Sequence, residues 1–390
     1  MRKFFLLGAM SAGALTAPLF VALTASTAQA QGSVSMQGLG YPPGELSTRA
    51  LGTAGALGDI DVRSPINPAA LALRPAAQIY AQYDPEFRTV TAGGATSSTT
   101  TARMPNIGGI LPLSSRLVIG LSASTLLDRN WATSRARTGP FGPGGADTVS
   151  FNESLKSEGA ITDVRVAAAY ALTPRFRIGI GFHAFPGSLR LTSNELFADT
   201  ARYQNVTQLT GVSFSGNAVS AGIEAALLPS LSVALSGRKG GTAKMFGNDS
   251  LLTTATIPDR YSGAIAFTGI PGTLVAVRAS HERWSQLGSL TTAHTNAVDA
   301  NDVSAGIESN GPRLGGGVPM LVRIGVRRRT LPFQVGTSTV QETSFGGGIG
   351  IPIAFDRVTI DIAALRASRT GVAGVSEHAY NLSFGLQVHP

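Results

Sequence analysis

The feature that most constrains this chain is an alternation of period two that recurs from about residue 75 to the C-terminus. Phe176, Ile178, Ile180 and Phe182 alternate with Arg175, Arg177, Gly179, Gly181 and His183. Tyr380, Leu382, Phe384, Leu386 and Val388 are likewise offset from Ser383, Gly385 and Gln387. Successive side chains of a strand point to opposite faces, so each such run reads as a strand with one apolar face. Fourteen of them fall near 75–90, 102–113, 115–128, 158–172, 175–190, 208–228, 230–246, 259–269, 272–285, 300–310, 319–331, 342–354, 357–369 and 378–388. The best stretch for a spanning helix, 218–237, holds Glu224 and Pro229 and reads better as a hairpin turning at Pro229-Ser230.

The connections alternate in length. Leu113-Ser114, Thr173-Pro174, Pro229-Ser230, Pro271-Gly272 and Phe355-Asp356 are tight turns, whereas 129–157, 192–207 and 286–299 are expected to be long loops. An even strand count, short turns at one end and long loops at the other define an all-β transmembrane antiparallel β-barrel of about fourteen strands. A soluble β-sandwich would also alternate. Its core has no place for fourteen strands whose second face is Gly, Ser, Ala and Arg. Tyr170, Phe182, Tyr261, Phe267, Tyr380 and Phe384 fall on the apolar rows, where interfacial girdles use aromatic rings.

The first thirty residues read as a cleaved signal peptide: a basic Met1-Arg2-Lys3, an uncharged apolar run from Phe4 to Leu23, and Ala28-Gln29-Ala30 at the cleavage site. Residues 31–74 carry no strand pattern. Leu46 to Leu73 is spaced for short helices broken at Gly52, Gly55, Gly58, Pro65 and Pro68. The domains are therefore signal peptide 1–30, an N-terminal hatch or plug 31–74 inside or under the barrel, and barrel 75–390; a periplasmic tail is the other reading of the middle piece.

Chemistry is sparse. With no cysteine, disulfides, thiolate metal sites and cysteine nucleophiles are excluded. The net charge of +8 is scattered, with Arg327-Arg328-Arg329 the one basic triplet, so nucleic acid is not expected as a partner. The five His (183, 281, 294, 378, 389) show no H-E-x-x-H spacing, and no Ser sits in G-x-S-x-G. The Gly-rich 179–184 lies inside a strand with no helix to cradle a phosphate. No metal, cofactor or enzyme activity is expected. A barrel hydrolase assembled across strands remains a distinct alternative, and it requires a Ser close to one of the five His.

Continuing the alternation puts Asp163, Arg165, Arg175, Arg177, Glu224, Arg238, Arg278, Glu282, Arg323, Arg327 and Asp361 on the lumen side. Buried charges must pair or be hydrated. Either they tie the plug to the wall, or some of them, Arg323 or Arg327 first, meet a ligand carboxylate while Gly346, Gly348 and Gly350 leave room for an acyl chain. Asn67 is suited to cap a helix started by Pro68.

Four stretches resemble the FadL-type outer-membrane transporters of long-chain fatty acids and other hydrophobic compounds. They are Ala50 to Asp59 leading to Ile66-Asn67-Pro68-Ala69-Ala70-Leu71, Ile257-Pro258-Asp259-Arg260-Tyr261 with the later Arg283-Trp284-Ser285, Gly325 to Phe333, and Glu342 to Gly350 with Val358-Thr-Ile-Asp361. Residues 90–250 match in strand pattern alone. The chain departs from the family at Arg63-Ser64-Pro65 and at its final Val388-His389-Pro390. The resemblance implies a hatch whose motif is Asp59, Asn67, Pro68 and Ala69, with Asn67 part of a moving latch. It also implies a bacterial outer-membrane location among membrane lipid, and facilitated diffusion of a hydrophobic small molecule into the cell with lateral exit into the bilayer. The candidate ligand or lumen residues are then Arg165, Arg177, Glu224, Arg278, Glu282, Trp284, Arg323, Arg327 and Asp361. Similar barrels serve protein secretion, so docking or shuttling for a secretion-system protein is the alternative function.

Overall fold

Twenty hydrogen-bonded segments form one antiparallel sheet closed into a barrel. They are β1 (Gln78–Ala92), β2 (Ala95–Arg103), β3 (Asn106–Pro112), β4 (Leu117–Asp128), β5 (Trp131–Phe141), β6 (Asp147–Thr173), β7 (Phe176–Ala184), β8 (Gly187–Phe197), β9 (Val206–Ser215) and β10 (Asn217–Leu228). The second half contains β11 (Leu231–Gly240), β12 (Thr242–Gly247), β13 (Ser250–Thr256), β14 (Arg260–Ile270), β15 (Thr273–Glu282), β16 (Ala300–Arg313), β17 (Pro319–Thr330), β18 (Gln341–Ile353), β19 (Val358–Val372) and β20 (Val375–Val388). The computed structural model describes residues 35–36, 38–73, 76–141, 147–291, 296–313, 318–353 and 357–389. The expected signal peptide, the first residues of the expected hatch and the Phe355-Asp356 turn lie outside them.

Six staves each consist of two consecutive segments (β2 with β3, β4 with β5, β7 with β8, β9 with β10, β11 with β12, β13 with β14), so the wall is a fourteen-stave barrel. It closes where β1 pairs with β20 from Ile79↔Val388 to Ala92↔Val375. The breaks fall at Pro105, Asn130, Pro186, Gly216, Gly241 and Pro258, and neighbouring breaks are stitched to one another. Arg129 N donates to Gly159 O at 3.0 Å, Thr162 N to Pro186 O at 2.9 Å, Phe185 N to Gly216 O at 2.9 Å and Ile257 N to Gly241 O at 2.9 Å. Proline offers no N–H to a ladder, so at Pro105, Pro186 and Pro258 the chain leaves its register and resumes it. Gly159, with φ 147° and Ser188 O only 2.0 Å from where a Cβ would stand, occurs where β6 changes partner from β4 to β5.

Beyond this level β5, β6, β8, β9, β12 and β13 continue as a paired extension. The expected 129–157 loop is therefore largely a hairpin, with Trp131 opposite Ser157, and the expected 192–207 loop shrinks to the short link between β8 and β9. The alternation fades there because a strand clear of the bilayer needs no apolar face. The link after β15 begins with a 3-10 helix, Trp284–Leu290, whose Ser289 donates to Thr254 O of β13 at 2.6 Å.

The outward rows are apolar and exposed: Ile180 is 68% and Phe182 56% accessible, and the expected aromatic residues Tyr170, Tyr261, Phe267, Tyr380 and Phe384 lie among them. Such a band is stable against lipid. Arg175 is not on the lumen side; it sits exposed in the turn between β6 and β7, because the strand ends at Thr173.

One seam interrupts the wall. Among the described residues β2 pairs along β1 alone, and β3 pairs with β4 only from Asn106↔Ser124 downward. Beyond the bond from Thr125 N to Pro105 O (2.9 Å), β4 and β5 turn their pairing to β6.

Candidate functional site in the barrel lumen

The N-terminal segment runs through the lumen. Among its described residues a short α-helix, α1 (Thr48–Gly52), is capped by Ser47, whose side chain accepts from Ala50 N at 3.1 Å, and a 3-10 helix, Pro68–Leu73, lies nearer the tight turns. Wall glycines make the room. A Cβ at Gly325 would stand 2.2 Å from Thr53 O, and one at Gly346 2.8 Å from Leu51 O. The space that the sequence offered to an acyl chain beside Gly346 and Gly348 is thus occupied by backbone of α1.

Asp59 lies fully buried at the middle of the segment. Its carboxylate accepts from Arg278 Nε at 2.6 Å, from Ser236 Oγ at 2.7 Å and from Ser262 Oγ. Arg278 also reaches Asp302 at 3.1 Å, and Asp302 receives both Nε (2.8 Å) and Nη2 (2.6 Å) of Arg327. A second chain of pairs runs from Asp61 and Arg49 through Glu308, Arg323 and Asp361 to Arg63. Arg49 Nη2 to Glu308 and Arg323 Nη1 to Asp361 are each 2.6 Å, and Arg63 Nη1 to Asp361 is 2.5 Å. Burial works to raise the Asp61 carboxyl, but Arg63 and Arg49 outweigh it and hold it below its usual value.

Glu45 bridges Arg238 (2.9 Å) and Arg260. Burial again opposes ionisation, and the two guanidinium groups overcome it, keeping the Glu45 carboxyl well below the usual range. Higher up, Tyr41 seats its ring among four arginines, with Arg369 4.6 Å and Arg329 5.1 Å from the ring centre, while its hydroxyl donates to Glu342 at 3.1 Å. Burial pushes its phenol up. Tyr41 also exchanges two 2.8 Å backbone hydrogen bonds with Asp128, and Arg129 Nη1 reaches Gly38 O at 2.5 Å. The segment therefore lies along β4 where the wall is split. Sequence reasoning missed Tyr41 and Glu45, which lie outside any periodic run. Glu308, Glu342 and Arg369 were available in the inward rows of β16, β18 and β19.

Near the tight turns, Asn67 Oδ1 accepts from Ala69 N at 3.0 Å, the expected cap, and its Nδ2 donates to Asp59 O at 3.1 Å. Pro68 and Ala69 press on Gly179. Arg177 Nε donates to Ala72 O at 3.2 Å and stands 3.6 Å from Glu224, whose Oε2 has no hydrogen-bond partner among the described residues. Arg165 is 3% exposed, and neither its Nε nor its Nη1 has such a partner.

Lumenal cavities flank the segment. One is lined by Glu45, Arg238, Arg260, Glu282, Trp284, Asp302 and Arg327; Trp284 is buried edge-on against Phe333 at 6.1 Å. A second joins Arg165 and Arg63 with Val62, Leu71 and Ile110. The structure thus gathers Arg278, Glu282, Trp284 and Arg327 near the first cavity and Arg165 at the second. Arg323 and Asp361 are committed to the ion-pair chain, and Arg177 and Glu224 stand apart near the turns.

The fourteen-stave barrel has the fold of the FadL-type channels. No protein-family model matches the chain, and no curated protein matches it in sequence. Among solved structures it is similar to a Pseudomonas aeruginosa FadL homologue, with a TM-score of 0.61 and 13% identity over 90% of this chain and 99% of that one. The Pseudomonas putida toluene transporter TodX gives 0.58 and 15% over 92% and 100%, and the Ralstonia pickettii toluene transporter TbuX 0.56 and 16% over 90% and 98%. At these identities the likeness is one of fold.

Proposed function

We propose that this chain, exported by a signal peptide cleaved after Ala30, is an outer-membrane channel that passes hydrophobic or amphiphilic small molecules, long-chain fatty acids among them, into the cell by facilitated diffusion. The observation that carries the proposal is the seam. The wall is split between β2 and β4, and the gap is lined by the part of the N-terminal segment around Gly38 and Tyr41. A segment that threads the lumen and borders the unpaired seam in its wall supports the reading of a hatch. An amphiphile lands on the apolar and polar surface of the β5–β6 hairpin, enters as the segment shifts, and leaves sideways into lipid. Transport of this kind involves no covalent step. The solved neighbours, a FadL homologue and toluene transporters, support the substrate class.

The test is a lock. Thr48 Oγ1 and Ser383 Oγ are 2.8 Å apart, and the chain has no cysteine, so Thr48→Cys with Ser383→Cys creates a single disulfide between segment and wall. Uptake of labelled oleate by cells should fall when the bond is oxidised and recover on reduction. Uptake unchanged by the lock overturns the hatch. Co-purification of a stoichiometric protein partner with no lipid-like ligand overturns transport in favour of docking.

A further inference from the structure

Beside the ion pairs that hold the segment, and joined to them where Arg238 meets Asp163, three inward side chains on adjacent staves form an ordered relay: Asp163 on β6, His183 on β7 and Ser220 on β10. His183 Nδ1 lies 2.8 and 2.9 Å from the two oxygens of Asp163, and its Nε2 lies 2.9 Å from Ser220 Oγ. A carboxylate only accepts, so Nδ1 carries the proton and Nε2 is left to accept the Ser220 hydroxyl. This is the arrangement of nucleophile, base and orienting acid that activates a serine, which geometry identifies whatever the sequence order. It also meets the condition that the sequence set for a hydrolase, a Ser beside one of the five His.

Gly181 lies opposite Ser220 across the ladder, and the position a Cβ would take there is 2.6 Å from Ser220 Oγ, 3.5 Å from His183 Nε2 and 3.5 Å from Arg165 Cδ. Arg165 is the buried guanidinium whose Nε and Nη1 lack partners. Two of its three nitrogens thus lack acceptors among the described residues, and the side chain lines the cavity that it shares with Arg63 and Leu71. Phe185 stacks on the imidazole at 6.0 Å and belongs to an apolar cluster with Leu127, Ile161 and Phe214, which favours an apolar acyl group.

We infer that Ser220, His183 and Asp163 form an acyl-ester hydrolase site in the barrel wall, with carboxylic esters of apolar acyl chains as substrates. Ser220 Oγ attacks the ester carbonyl carbon and His183 Nε2 takes the hydroxyl proton. The carbon–oxygen bond to the alcohol breaks, and the imidazolium returns that proton to the departing alkoxide. A water then attacks the acyl-serine by the same relay and releases the carboxylic acid. Glu45 of the N-terminal segment touches the site through Arg238, which donates to Glu45 at 2.9 Å and to Asp163 at 3.2 Å, so movement of the segment governs access. The inference is independent of whether the barrel transports.

The full-length chain in detergent micelles is treated with a long-chain alkyl fluorophosphonate, and the peptides are read by mass spectrometry. The same samples are assayed with p-nitrophenyl esters. An adduct on Ser220, in the native chain or in Glu45→Ala with its weakened segment, is expected, with both signals absent in Ser220→Ala. Ester turnover in His183→Gln should fall by roughly three orders of magnitude. Ser220→Ala removes one oxygen, and heat-modifiable migration in SDS gels verifies that each variant remains a closed barrel. No Ser220 adduct in either the native chain or Glu45→Ala overturns the site, as does ester turnover that persists in Ser220→Ala.

Discussion

Arg278 Nε meets Asp59 Oδ2 at 2.6 Å with both side chains buried, and this contact joins the midpoint of the N-terminal segment to β15. Ser236 of β11 and Ser262 of β14 donate to the same carboxylate, so three consecutive staves hold one residue. Removing one partner of a buried pair costs about 3 to 5 kcal/mol, because the other is left charged and unpaired. Asp59→Ala should therefore loosen the segment while leaving the barrel ladders intact. Limited proteolysis should cut between residues 45 and 66 faster, and ion conductance in planar bilayers should rise. Arg278 keeps Asp302 at 3.1 Å, which places the expected cost near the lower figure.

The anchoring at Glu45 carries a pH signature. Its carboxyl is held well below the usual 4.5 by Arg260 and Arg238 against the pull of burial. A group with a depressed native pKa contributes its full stabilisation above the unfolded value and loses it as pH falls toward the folded one. Protection of the segment from hydrogen exchange should thus be level from pH 7 to about 5 and decline below about 4.5. In Glu45→Gln the protection at pH 7 should be lower, and its difference from the native chain should shrink through the acid range. An unchanged difference at pH 3 would remove Glu45 from the anchoring.

The barrel was legible because lipid imposes one rule on every stave: the outward row must be apolar, so Phe176 to Phe182 and Tyr380 to Val388 announce themselves. Where β5, β8 and β9 leave the bilayer the rule lapses, and Thr, Ser and Asn on both faces read as loop. The inward row was legible as charge but not as pairing. Nothing local in Arg323 or Arg278 tells that one meets Asp361 and the other Asp59, since the partners are 38 and 219 positions away. Tyr41 and Glu45 had no period to reveal them, because a segment threaded through a lumen is buried on all sides. His183 and Ser220 could have been placed on the inward rows of their strands, but their meeting depends on the pairing of β7 with β10.

Asn67 separates a cap from a latch. Its Oδ1 satisfies Ala69 N at the start of the Pro68–Leu73 helix, a contact that serine can also make. Asn67→Ala should cost about 1 kcal/mol and speed hydrogen exchange at Ala69 and Ala70. Asn67→Ser should restore most of that protection. If oleate uptake follows the same order, capping accounts for the residue; if both variants lose uptake alike, the bond from Nδ2 to Asp59 O is the one that matters.

The seat beneath that helix gives the sharpest test of how segment and wall fit. Gly222 and Gly179 are paired across the β7–β10 ladder, and both face the segment. A Cβ at Gly222 would stand 1.9 Å from Asn67 Oδ1 and 3.1 Å from Pro68 Cδ, and one at Gly179 2.4 Å from Ala69 N. Neither glycine has positive φ, so alanine suits the strand and only the segment must yield. Overpacking of this kind costs about 1 to 3 kcal/mol. Gly222→Ala and Gly179→Ala should each displace the base of the segment, raising conductance and exchange at Ala69 while heat-modifiable migration is unchanged. Gly237→Ala on β11, where the nearest atom to a new Cβ is 3.7 Å away, should change neither. Equal effects at Gly237 would mean that the ladder, not the segment, responds to the added methyl.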